Sequence, residues 1–168
     1  MCASLVKGLG WPATTLGDTQ ASADYQQEYT ATLGSSSTTY TGEVREILIQ
    51  FPTVTEASAQ LHTYAAAAAH CTNWTYPSAG AWGTSSQQVH TSDLTTSADE
   101  SIVLESSESA KGQTGAFNGI TDTSNDTLAV LRKGPLLAYV AVSPGHQGMS
   151  SWPTAALVLP AVADDLNR

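Results

Sequence analysis

The chain has 168 residues and a formal net charge of -9, from 15 acidic and 6 basic side chains. That length suits one domain of about 100–200 residues, and 1-168 reads as a single unit without internal repeat or linker. So few cations exclude the clustered Lys/Arg patch that nucleic acid or an anionic membrane surface requires.

Charged residues make up 12%, with 19 Ser and 22 Thr in their place, against a usual charged share of about 25%. Such a Ser/Thr-rich surface reads as exported. No secretory leader pattern is legible, and no run of about 18 apolar residues encodes a transmembrane helix. An extracytoplasmic location is therefore expected, secreted or lipid-anchored, with Met1-Cys2-Ala3-Ser4 read as a trimmed precursor carrying an added start Met. Cys2 and Cys71 are the two cysteines. An even count in an exported domain suggests one disulfide, closing a loop of about 70 residues. A lipid-bearing Cys2 or two free thiols are the alternatives.

In chain order, 3–10 reads as a short helix, stopped at Gly10 and followed by a turn at Trp11-Pro12. Residues 24–33 are ambiguous: Tyr25, Tyr29 and Leu33 repeat at helical spacing, but the second half is β-prone. Residues 34–39 have loop composition. Residues 43–51 (EVREILIQF) form the clearest strand, ended by Pro52. Thr53 and Glu56 then match a capping box, opening a helix to His70. Its core stripe is Ala57, Leu61, Tyr64/Ala65 and Ala68.

Residues 72–89 are turn-rich, with Trp74, Tyr76 and Trp82 bracketing a hairpin or lid. Two strands follow over 88–96 and 101–109, joined by a turn at 97–100. A glycine-rich loop or weak strand covers 111–119. Residues 127–143 (TLAVLRKGPLLAYVAVS) read as a hairpin turning at Gly134-Pro135. After a loop over 144–151, a helix closes the chain over 153–167. Pro153 suits its first turn, Pro160 should kink it, and Leu157, Val162 and Leu166 should face the core.

The elements ILIQFPTVTEASAQL, AHCTNW, LAVLRKGPLLAYVAV and the terminal helix, in that order, resemble the PknH-like extracellular sensor domain family of actinobacteria. That family includes the sensor domain of a mycobacterial receptor kinase and stand-alone lipoproteins. The resemblance covers about residues 40–168. It implies a disulfide-bearing sensor domain with a ligand groove. The chain departs from the family in having cysteines for one bridge, where family domains often carry two, and in its Trp following Cys71. A similar element order occurs in the PsbP-like fold.

Several residue groups bear on chemistry. His62, His70, His90 and His146 are available bases, but no G-x-S-x-G elbow accompanies the many serines. His62 and His70 lie too far apart on their helix to share a metal, which takes i, i+4 pairs. Asp122 to Asp126 starts like a calcium loop and then fails, with Thr127 and Lys133 at the glycine and glutamate positions. An Asx-rich turn is the simpler reading. Asp93, Asp99, Glu100, Glu105 and Glu108 form an acidic stretch, read as a solvated face. Two distant cysteines make no zinc site. No metal and no cofactor is expected.

Trp74, Tyr76, Trp82 and Trp152 are the most suggestive set, since aromatic rings beside a groove stack on sugars or hold apolar ligands. Arg132 is a candidate partner for an anionic ligand or an acidic neighbour. The expected fold is α+β: a twisted antiparallel sheet of five or six strands with two main helices packed on one face. The expected function is a non-enzymatic ligand-binding or sensor-like domain of the bacterial cell envelope, with Trp74, Tyr76, Trp82 and Arg132 at the site. Its partner is an unidentified small molecule or envelope component. A small secreted hydrolase or carbohydrate-active protein, and a structural partner-binding envelope protein, are the alternatives.

Overall fold

The computed structural model of the protein describes residues 18–33, 36–77, 82–92, 94–115, 118–144 and 153–168. The helix expected over 3–10, Cys2, Asp93, His146, Trp152 and nearly all of the 144–151 loop lie outside the described residues.

Thr, Tyr and β-branched residues fill the first part of the described chain and suit a pleated surface. They form β1 (Asp18–Leu33) and β2 (Ser36–Gln50), a long antiparallel hairpin. The helical spacing of Tyr25, Tyr29 and Leu33 is equally a strand spacing, because residues four apart also share a strand face. Most of the expected loop over 34–39 is likewise strand.

Phe51 then docks its amide on the Pro135 carbonyl at 2.9 Å, and α1 (Val54–Ala69) begins. Thr53 caps it: its Oγ1 accepts from the Glu56 amide at 3.2 Å and donates to the Glu56 carboxylate at 2.9 Å. Ala57, Leu61, Tyr64 and Ala68 are the buried stripe, as the periodicity requires. Beyond α1 come β3 (Asn73–Pro77), β4 (Trp82–Thr91), β5 (Glu100–Gly112), β6 (Thr121–Lys133) and β7 (Leu136–Ser143). The chain ends with α2 (Ala155–Asp165).

The strands make one sheet of seven, in the order β1-β2-β7-β6-β5-β4-β3, antiparallel at every pairing. The expected five or six strands undercount it, because β1 and β3 lay in segments read as ambiguous or turn-rich. α1 carries the chain across one face, from β2 to the opposite edge at β3. β3 to β7 then return as a meander, and β7 closes against β2.

The α+β class holds, but the helices do not share a face. Leu128, Val130, Leu137 and Tyr139 pack with Ile49, Phe51 and the α1 stripe. Their alternates Ala129, Leu131, Ala138 and Val140 pack with Leu159, Val162, Ala163 and Leu166 around α2. Successive strand side chains point to opposite faces, so α1 and α2 lie on opposite sides of the sheet. β7 is accordingly buried from Leu137 to Val142.

α2 also departs in detail. Leu159, Val162, Ala163 and Leu166 follow the i, i+3, i+4, i+7 stripe, which leaves Leu157 off the stripe and 70% exposed. Thr154 is the N-cap, so Pro153 lies just before the helix rather than in its first turn, and the helix runs on through Pro160.

Candidate functional site

α1 covers only part of its face of the sheet, lying against β5, β6 and β7. Beyond its C-terminal end the same face continues as polar residues. Strand register sets them out in rows. One row runs Val89–Ser106–Asp126 across β4, β5 and β6, and Asp126 accepts a hydrogen bond from Ser143 of β7. The next runs Trp74–Gln87–Glu108–Ser124 across β3 to β6, and a third runs Tyr76–Ser85–Ala110–Asp122. Directly opposed residues in such rows have Cβ atoms roughly 4.5–5.5 Å apart. Side chains from four strands therefore converge on one polar patch.

Ser85, Gln87 and Ser106 are buried, whereas Trp74, Tyr76, Glu108 and Asp126 keep partial exposure. The Gln87 amide donates from Nε2 to Ser106 Oγ at 2.8 Å. Its carbonyl Oε1 and the indole Nε1 of Trp74, directly across the β3–β4 pairing, are both buried without a hydrogen-bond partner among the described residues. Leaving such a group unpaired costs about 1–3 kcal/mol. A donor and an acceptor thus stand side by side with their hydrogen-bonding capacity unspent.

The electrostatics of the patch follow from its carboxylates. Burial pushes the Asp126 carboxyl above its usual range; the Ser143 bond works against this, and Glu108 and Glu43 add to it by repulsion. Burial, then Glu108, pushes the Tyr76 phenol far above its usual range.

Trp74 and Tyr76, two of the expected site residues, lie on this patch, two apart on one face of edge strand β3. Trp74 also packs against the α1 core. Trp82 begins β4 and pairs with Gly112, but its side chain lies outside the described residues. Arg132 does not join the aromatics. It sits roughly 26 Å along β6 from Ser124, at about 3.3 Å per residue.

There Arg132 donates to Glu100 at 2.9 Å, to Asp99 at 3.4 Å and to the Gly134 carbonyl at 3.0 Å. Gly134, at φ +54°, opens the β6–β7 turn, and its amide donates to Asp99 at 3.0 Å. Lys133 meets Asp99 at 2.9 Å. Ser58 donates to Glu100 at 3.0 Å, and His62 reaches the same carboxylate at 3.5 Å, which ties α1 to the knot. Arg132 therefore serves an acidic neighbour.

Gln87, Ser85 and Ser106 escaped the sequence reading, and Asp126 entered it only as the end of an Asx-rich turn. Alternation of Ser85 and Gln87 with Val89 was the available signal, and a run of Ser and Gln looks like surface unless the register is known. The expected turn at Asp122–Asp126 is a stretch of strand β6, so its oxygens alternate between faces rather than encircle an ion. Among the described residues no group of three or more potential metal ligands gathers.

One trio has the composition of a hydrolytic triad but not its order. Ser92 donates to Glu105 at 2.7 Å, and His90 Nε2 lies 3.1 Å from the other Glu105 oxygen. The carboxylate is in the middle, whereas nucleophilic catalysis needs the imidazole between hydroxyl and carboxylate. Cys71 is buried at the end of α1 and is not a free thiol. Its expected partner, Cys2, lies outside the described residues. Compared with known protein families, curated proteins and solved structures, the chain matches none.

Proposed function

We propose that this chain is a non-enzymatic, extracytoplasmic ligand-binding or sensor-like domain of the bacterial cell envelope, related to the PknH-like sensor domains. Its site is the polar patch beyond α1. The observation that carries this reading is the unpartnered pair of Trp74 Nε1 and Gln87 Oε1. A hydroxyl or amide accepts from the one and donates to the other. Tyr76 and the Glu108 and Asp126 carboxyls supply further polar contacts to a small polar ligand. No helix of the described residues is long and apolar enough to cross a membrane. A Cys2–Cys71 bridge belongs to the same proposal, supported by Cys71 not being a free thiol.

Native mass spectrometry of protein purified from its own host, without reductant, tests both parts. The expected result is a mass two hydrogens below the reduced chain plus a retained small molecule. A Trp74→Phe/Gln87→Leu variant should lose that molecule while still unfolding cooperatively. Retention of the ligand by this variant refutes the site, and a fully reduced, ligand-free wild-type chain refutes the reading.

A second reading, a carbohydrate-active hydrolase, is favoured by the raised Asp126 carboxyl with Glu108 on the same patch, since a general acid must hold its proton at working pH. Turnover of a glycoside that disappears in Asp126→Asn would establish it instead.

A further inference from the structure

The opposite face of the sheet holds a second concavity, which the proposed function does not use. α2 has 11 residues, about 16 Å of helix, and it lies against β6 and β7. Val44 and Leu48 of β2 also pack against the cluster around this helix. Beside it a cavity of about 430 Å³ remains open, within the range of small-molecule sites, about 300–1,000 Å³.

Val44 and Val140 form the cavity floor, and Leu157, Val158 and Val162 form its helix wall. Tyr25, 56% exposed, stands at its β1 edge. Two carboxylates interrupt this apolar lining, Glu46 from β2 and Asp165 from the last turn of α2. Burial pushes the Glu46 carboxyl above its usual range, and Asp165 adds repulsion. Asp165 meets the exposed Arg168 at 3.3 Å. Among the described residues no cation lines the cavity.

The geometry points to a binding site for a small cationic amphiphile, its hydrocarbon body against the valines and Leu157 and its ammonium group between Glu46 and Asp165. An apolar ligand without charge would leave the two carboxylates repelling one another across a partly desolvated site. An anionic ligand would add a third negative charge. A cation relieves that repulsion, and aliphatic surface buried in the cavity supplies the remaining affinity, about 25 cal/mol per Å².

Calorimetric titration of the full chain with decyltrimethylammonium, decanol and decanoate, each below its micelle concentration, decides the matter. The expected result is saturable one-to-one binding of the ammonium compound, weaker binding of decanol and none of decanoate. Glu46→Gln should weaken the ammonium compound about tenfold, the equivalent of roughly 1.4 kcal/mol, without changing decanol. Leu157→Ser, at an exposed position, should weaken both. If Glu46→Gln fails to fold, Asp165→Asn, also exposed, gives the same comparison. The Trp74→Phe/Gln87→Leu variant should bind the ammonium compound normally, which separates this site from the polar patch. Equal binding of decanoate, no saturable binding, or occlusion of the cavity by self-association in sedimentation would each overturn the assignment.

Discussion

The two faces of one sheet are finished in different ways. On the α1 side a 16-residue helix seals an apolar half, and the remainder carries buried serines, Gln87 and carboxyls in register. On the α2 side the 11-residue helix seals less, and a mainly apolar cavity stays open beside it. The same strands build both, because alternate residues of β2, β6 and β7 face opposite ways. The difference teaches that helix length and position, rather than strand composition alone, decide where this molecule keeps unspent surface. Polar capacity is left over on one side and apolar area on the other.

The sharpest way to break this symmetry is to empty the core on either side. Leu137 on the α1 face and Leu131 on the α2 face are both 0% exposed. Leu137→Ala and Leu131→Ala should each destabilise by about 2–5 kcal/mol in urea unfolding. A cost far below this for Leu131→Ala alone would show that the α2 side is not part of the cooperative core.

Arg132→Met should come next, at about 2 kcal/mol, since it removes charge-assisted bonds that tie β5 and the β6–β7 turn together. Its pH signature has a definite sign. The Gly134 amide and the Lys133 ammonium hold the Asp99 carboxyl below its usual range. The Arg132 guanidinium does the same for Glu100, with Ser58 assisting. Between the ordinary carboxylate values and these depressed ones the unfolded chain binds more protons than the folded chain. Stability is therefore fully present above the ordinary values and falls as pH drops through the folded ones. In Arg132→Met the Glu100 part of that acid-side slope should shrink, with the Ser58 contribution left, read from urea midpoints taken downward from neutral pH.

The smallest test compares the helices. Thr53→Ala removes a side-chain cap and should cost about 1 kcal/mol. Thr154, which makes no side-chain cap bond to α2, should lose only about a few tenths as Ala, less than an engaged cap costs. Thermal melts followed by circular dichroism distinguish them.

Much of this was legible beforehand. The capping box, the Ala57–Ala68 stripe and the Gly134-Pro135 turn are local patterns, and each folds as its spacing requires. Trp74 and Tyr76 were legible as site candidates because aromatics two apart in a turn-rich segment invite the reading. Arg132 was legible as a cation for an anionic ligand or an acidic neighbour, and where β5 lies decides the partners it meets. Leu128–Leu131 and Leu136–Val142 have apolar residues at nearly every position, the mark of a strand covered on both sides. Helices on opposite faces follow from it.

By itself the sequence determined the period of α1, the cap of α1 and the central hairpin, because these depend on residues within a turn or two of one another. Only the tertiary structure decided that β7 pairs with β2, that the helices take opposite faces, and that Trp74, Gln87, Glu108 and Asp126 share one surface. Those facts depend on register between distant segments, where a shift of one residue would turn every side chain of a strand to the other face.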